Sequence, residues 1–150
     1  MTDPHADAKV RITHELATSA DALWAILGDF TDLSWVPAVP RCEMDGEGVG
    51  MVRHMYLDEN FVIDERLEAL DDERRTISYS IPQNNPLPVA DYLATMTIHE
   101  RDPQRCELEW SCTWSAPVGV TEDEAVEAVT AFYWDVMPGI ELAAGVTRGS

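Results

Sequence analysis

Arg53, Glu65 and Tyr79 are the residues of this chain whose types and spacing could do chemistry together. Each lies in a stretch where apolar and polar residues alternate, the period of a half-buried strand. A hairpin centred on Glu59 sets Leu57 opposite Phe61, Met55 opposite Ile63, Arg53 opposite Glu65 and Met51 opposite Leu67. A second turn, around Asp71-Asp72-Glu73 and centred on Asp72, then brings Tyr79 beside Glu65. A guanidinium and a carboxylate on an otherwise apolar face are costly to desolvate, and such pairs often contribute no net stability. That cost invites a functional reading, in which Arg53 binds a ligand carbonyl or carboxylate and stabilises a developing enolate. Glu65 would move a proton and Tyr79 would donate a hydrogen bond. The competing reading is an ion pair that ties two strands together. The other face of the hairpin pairs His54 with Asp64 and Val52 with Arg66, which suits solvent.

An aromatic wall surrounds this trio in the sequence: Trp35, Tyr92, Trp110, Trp114, Tyr133 and Trp134. Core packing accounts for most of them, while Trp35, near a helical break, and Trp134, near a helix kink, are expected to touch a ligand. With Met55, Ile63 and Tyr92, then Met96, Trp110, Tyr133 and Met137, these two make up the expected ligand-binding set. Asn84 and Asn85 could rim an entrance, although turn formation already explains them. Other chemistries find no support. No Ser-His-Asp or Cys-His arrangement is legible. His5, His14, His54 and His99 lack clustered ligand spacing, so no metal and no cofactor is expected. The run Gly46 to Gly50 opens onto an alternating segment instead of a helix, which fits a hairpin turn and not a phosphate loop. Cys106 and Cys112 on one strand would stand about 20 Å apart at about 3.3 Å per residue, beyond disulfide reach. With Cys42 they read as small core residues in a reducing compartment.

The elements that must position these residues follow from periodicity. Ala8 to Leu16 alternates as a strand, with His14 on its apolar face as a core histidine. A helix starts at Ser19 or Asp21 and buries Ala22, Leu23, Ile26, Leu27 and Phe30. A second short helical piece lies around Leu33 and Trp35 and ends at Pro37 and Pro40. About six antiparallel strands follow, with a loop at Gln83 to Pro88 as lid or rim and a turn at Asp102-Pro103. On the last strand Glu107, Glu109, Ser111, Thr113 and Ser115 are expected to face water. The chain closes with a long amphipathic helix from Thr121 to about Val146. Thr121 and Glu124 form a capping box, and Val126, Val129, Tyr133, Val136, Ile140 and Ala144 recur at helical spacing. Pro138 and Gly139 are expected to kink it.

Composition sets the outer limits. At 150 residues and 45% hydrophobic content, the chain suits one domain, 1–150, with a real core. The net charge of -18, with Lys9 the sole lysine, repels phosphate backbones and anionic lipid surfaces. Neither a nucleic acid nor a stable membrane association is therefore expected. Because the charge is spread along the chain, it reads as a solubility or salt-adapted surface. The start, Met1-Thr-Asp-Pro-His5, has no basic or apolar leader pattern, and a cytoplasmic location is expected.

The order of elements, together with Trp35-Val-Pro37, Gly48-Val-Gly-Met-Val-Arg53, the stretch Asp64 to Asp71, Ile77-Ser-Tyr79 and the stretch Pro86 to Tyr92, resembles the START-like or Bet v 1-like (SRPBCC) superfamily. The likeness is to its bacterial members of polyketide cyclase/dehydrase type and spans nearly the whole chain. It implies an α+β helix-grip fold: a curved antiparallel sheet wrapped around a long C-terminal helix, with two short helices after the first strand. It also implies a deep pocket for a hydrophobic ligand. Three functional readings stand side by side. The first is binding of a small hydrophobic or amphipathic, lipid- or polyketide-like molecule by a monomer or homodimer. The second is a metal-free polyketide cyclase, aromatase or dehydratase using Arg53, Glu65 and Tyr79. The third is a partner-binding module, which predicts an exposed apolar patch and a filled interior.

Overall fold

Alternation in the first expected strand produces β1, Val10–Leu16, whose Val10, Ile12 and Leu16 point into the core. The structure, a computed structural model, describes residues 3–36, 41–58 and 61–146. Helix α1, Ala20–Leu27, follows, capped by the Ser19 side chain accepting from the Ala22 amide. It buries Ala20, Leu23 and Leu27, whereas Ala22 is exposed. Of the two short helices expected here, only α1 forms among the described residues. Residues 29–36 make successive turns closed by Asp32 N–H to the Asp29 carbonyl and Val36 N–H to the Leu33 carbonyl. Asp29 and Asp32 compete for local amides through their side chains, which favours turns over a helix. Pro37 and Pro40 lie outside the described residues.

The strands then come in sequence: β2 (Arg41–Asp45), β3 (Val52–Asp58), β4 (Phe61–Asp71), β5 (Thr76–Gln83), β6 (Val89–Ala90), β7 (Leu93–Asp102), β8 (Arg105–Thr113) and β9 (Ala116–Pro117). Six of them join β1 in one seven-stranded antiparallel sheet in the order β1-β8-β7-β5-β4-β3-β2, and β6 pairs with β9 in a short ribbon. Gly46, Gly48 and Gly50 all have positive φ in the β2–β3 connection, as a hairpin turn requires. Arg53 faces Glu65, Met55 faces Ile63 and His54 faces Asp64, as the alternation predicts. The register breaks between Tyr56 and Asp58, so Asp58 pairs with Phe61 and the expected Leu57–Phe61 pair does not form; Glu59 lies outside the described residues. Two further irregularities, at Asp64/Arg66 and Leu67/Ala69, shift β5 along β4. Tyr79 consequently lies opposite Leu67, not Glu65. Bulges of this kind insert residues and bend a strand, which suits a sheet that curves around a helix.

That helix is α2, Glu122–Ala143. The capping box is complete: Glu124 N–H donates to Thr121 Oγ1 at 3.1 Å and Thr121 N–H to Glu124 Oε1 at 3.0 Å. It runs unbroken through Pro138 and packs along β1 and β9, burying Ala125, Val129, Tyr133, Met137 and Ile140. This i, i+4 stripe and the inner sheet face, centred on Leu67, Ile77, Met96, Leu108 and Trp110, form one continuous core. The architecture is the expected α+β helix grip, a curved antiparallel sheet on a long C-terminal helix.

The outer sheet face is not simply wet. Glu109 and Ser111, expected to face water, are buried. The segment from Asp3 onward crosses that face and inserts His5, whose Nδ1 is 2.6 Å from Ser111 Oγ and whose Nε2 is 2.7 Å from Thr97 Oγ1. Glu109 accepts from Arg11 and lies 2.7 Å from His99 Nε2. Burial lowers the pKa of His5 despite the neighbouring Glu109. Burial raises Glu109, but the bonds from His99 and Arg11 outweigh it and hold the carboxylate below its ordinary value. Cys106 and Cys112 are buried free thiols, each pushed up to about 11 by burial, which leaves them protonated and inert.

Candidate functional site

The inner sheet face and α2 do not close completely: between them lies a cavity of about 390 Å³. Its size falls in the range of small-molecule sites, roughly 300–1,000 Å³. Strands β3, β4 and β5 supply Met55, Ile63, Glu65, Tyr79 and Ile81. Trp35 and Val36 come from the turn before β2, Pro86 and Leu87 from the loop after β5, and Tyr92 and Trp110 from the far wall. Helix α2 contributes Phe132, Asp135, Val136, Pro138 and Gly139. The lining is therefore apolar and aromatic, broken by few polar groups.

Arg53 and Glu65 are both buried, at 3% and 8% exposure, so neither charge is relieved by bulk water. Arg53 Nε and Nη2 both approach Glu65 Oε1, at 2.7 and 2.6 Å, and Nη1 donates to the Phe30 carbonyl at 3.0 Å. The guanidinium carbon stands 3.9 Å above the Phe30 ring, with the Tyr79 and Trp35 rings at 5.6 and 5.8 Å. Arg53 is thus enclosed behind Glu65 and is not part of the cavity lining, while Glu65 is. Glu65 Oε2 makes no hydrogen bond to the described residues. The pair presents a carboxylate to the cavity and a guanidinium to the carbonyl and ring of Phe30.

Tyr79 reaches the same wall from β5. Burial, then the nearby Glu65 charge, drive its pKa far above the ordinary tyrosine value, so the phenol stays a hydrogen-bond donor at any physiological pH. Trp110 is 1% exposed, and its indole N–H is directed at the Tyr79 hydroxyl in the same wall. Its ring stacks on Tyr133 at 3.9 Å and 8° between planes. The Tyr133 hydroxyl is engaged with that of Tyr92, and burial raises both of their pKa values.

Of the expected ligand-binding residues, the structure brings Trp35, Met55, Ile63, Tyr92 and Trp110 to the cavity. Met96, Tyr133 and Met137 are packed in the core behind it. Trp134 points away, 39% exposed and edge-on to His14, whose Nε2 lies 3.3 Å from Glu141 Oε2. Sequence reasoning missed the flank of α2 that carries Phe132, Asp135, Val136 and Gly139, although their i, i+3, i+4, i+7 spacing was the available signal. Among the described residues, no group of three or more His, Cys, Asp and Glu is placed to hold a metal ion.

A sequence pattern described as polyketide cyclase / dehydrase and lipid transport matches residues 7–139. The chain belongs to this family. Solved structures agree with it. An uncharacterized protein from Bacillus thuringiensis is 32% identical with a TM-score of 0.78, over 89% of this chain and 96% of that one. The protein XoxI from Bacillus cereus is also 32% identical, with a TM-score of 0.75 over 89% and 92% of the two chains. Norcoclaurine synthase from Thalictrum flavum, solved in complex with dopamine and hydroxybenzaldehyde, shares the fold at 18% identity and a TM-score of 0.66, over 100% of this chain and 96% of its own. A search of the curated proteins gave no match. In this polyketide cyclase/dehydrase and lipid-transport family member, as across the fold, the sheet and the last helix grip the space between them. No helix among its described residues is long and apolar enough to cross a membrane.

Proposed function

We propose that this protein binds a small hydrophobic or amphipathic molecule, lipid- or polyketide-like, in the cavity between its sheet and α2. The observation that carries the reading is the cavity itself: about 390 Å³ of space walled by Trp35, Met55, Ile63, Ile81, Trp110 and Val136. An unfilled apolar cavity forgoes dispersion contacts along its walls, and an apolar ligand restores them. A partner-binding module would instead fill its interior and expose a contiguous apolar patch. The reading includes a cytoplasmic protein of one domain, a monomer or homodimer, with no stable membrane or nucleic-acid partner.

A second reading, a metal-free cyclase, aromatase or dehydratase, is favoured by the presence of Glu65 and Tyr79 in the same wall. In it Glu65 takes or delivers a proton at the ligand and Tyr79 donates to a developing oxyanion. Arg53, enclosed behind Glu65, holds that carboxylate in place. The test is native mass spectrometry of the purified protein followed by denaturing extraction. A retained apolar small molecule supports binding and supplies the compound on which turnover is then assayed. A protein that arrives empty and takes up no hydrophobic probe contradicts the binding reading.

A further inference from the structure

Resting on the proposal that the cavity binds an apolar molecule, the wall that α2 gives the cavity specifies which shape fits. Glycine and proline are the two least favourable residues in a helix interior. In α2 they stand side by side, Pro138 and Gly139, well inside Glu122–Ala143. Pro138 has no amide to donate to the Trp134 carbonyl one turn earlier, yet the helix continues to Ala143. Gly139 has an ordinary helical backbone, so no left-handed φ calls for glycine there, as one does at Gly145. A choice against local propensity, made twice in a row, marks a place where something other than helix stability decides the residue. Both residues line the cavity.

The neighbouring positions show what decides it. Tyr133, Met137 and Ile140 project large side chains from the same turns of α2 and bury them fully in the core. Gly139 lies on the adjoining flank with Phe132, Asp135 and Val136, where helix and sheet stand apart around the cavity. A side chain at this position would lean back over Asp135 and Val136, because Cα–Cβ bonds in a helix tilt toward its N-terminus. It would therefore take up part of the space between α2 and the sheet wall of Met55, Ile63 and Ile81. Glycine leaves that space to an occupant.

We propose that Gly139 is a specificity-determining residue: by carrying no side chain it keeps the cavity wide against α2 and admits bulky, compact apolar molecules, which a side chain there would exclude while extended chains still entered. The test compares camphor, a caged ketone, with decanone, an open-chain ketone of the same carbon count, so that polarity and carbon number cancel and width remains. Each is titrated into the parent protein, Gly139→Ala and Gly139→Leu, with binding read from the methyl NMR shifts of Met55 and Ile63 on the sheet wall, and each protein is also unfolded in urea. Gly139→Leu is expected to lose about tenfold or more in camphor affinity and less than about threefold in decanone affinity, the scale of methylene-sized changes in an apolar pocket. Gly139→Ala is expected to weaken camphor by a smaller factor while raising the folding equilibrium constant about two- to fivefold, since alanine is the better helix former. Opposite signs in stability and affinity separate a ligand role from a structural one, and the alanine variant decides the matter if the leucine variant does not fold. Equal losses for the two ketones, or none for either, overturn the assignment of Gly139 and leave the binding cavity standing. A Gly139→Ala protein less stable than the parent shows that the backbone or its packing demands glycine, which also overturns it. No saturable shift from either ketone in the parent protein overturns both this inference and the binding reading beneath it.

Discussion

Replacing Arg53, Glu65 or both tests whether the pair serves the cavity or the fold. In Glu65→Leu the guanidinium stays buried at 3% exposure and keeps one polar partner, the Phe30 carbonyl at 3.0 Å. It loses the contacts of 2.7 and 2.6 Å to Oε1 that balance its charge. Breaking a buried pair from one side costs about 3–5 kcal/mol, because the surviving charge is left uncompensated. For a chain of this size that amounts to a fall in Tm of roughly 6–20 °C, or about 2 M in the urea midpoint at about 2 kcal/mol/M. Arg53→Met, which strands the carboxylate, is expected to cost a similar amount. The double variant Arg53→Met/Glu65→Leu removes both charges and fills their volume with apolar atoms, so it is expected to recover to within about 1–2 kcal/mol of the parent or to exceed it. Urea unfolding of the four proteins, read as a double-mutant cycle, yields the coupling directly. Because Glu65 lines the cavity, the double variant should also change ligand affinity. A double variant as unstable as the worse single one, with ligand affinity unchanged, would refute the reasoning and assign the pair to structure.

Three further outcomes follow from the same features. Burial holds the folded-state pKa of His5 below the ordinary histidine value of 6.5, so the folded protein binds fewer protons than the unfolded chain. Its contribution is complete above that value and is lost as pH falls through it. Glu109 acts in the same direction at lower pH, since its carboxylate is also depressed. Tm should therefore decline from about pH 7 to about pH 5, and His5→Gln should flatten that part of the profile; an unchanged slope would remove His5 from the account. Thr121→Ala breaks one half of the capping box and is expected to lower stability by about 1 kcal/mol, measured by urea unfolding. With a net charge of -18, the protein should gain thermal stability as salt rises from low to high concentration and self-repulsion is screened. A flat or falling Tm would show that the acidic surface carries no such cost.

The parts of the site that were legible in the sequence are those fixed by local rules. Alternation in β3 and β4 placed Arg53 against Glu65, because a slip of one residue would have turned Met55 and Ile63 to solvent. The Thr121–Glu124 box and the i, i+4 stripe announced α2 and its buried side. Tyr79 lines the cavity by a register other than the expected one, since the irregularities at Asp64/Arg66 and Leu67/Ala69 leave no mark in an alternating pattern. Amphipathicity also separates inside from outside without separating core from cavity. Helical spacing alone puts Tyr133 and Met137 with the ligand, yet they pack in the core, whereas Phe132 and Val136 on the adjoining flank line the cavity. Glu109 and Ser111 were expected in water because strand period names a face, not what lies across it, and here the segment bearing His5 covers them. Trp134 shows that a large aromatic near a helix proline is no guide to a ligand wall; it rests on His14 at the surface.

The most direct test of the binding account is methyl NMR of the labelled protein titrated with naphthol. The account predicts saturable shifts at Met55, Ile63, Ile81 and Val136, which surround the cavity from three strands and α2. Methyls on the solvent side, such as Val49 and Leu142, should stay still. Shifts confined to surface methyls, with the four cavity residues unmoved at saturation, would contradict it.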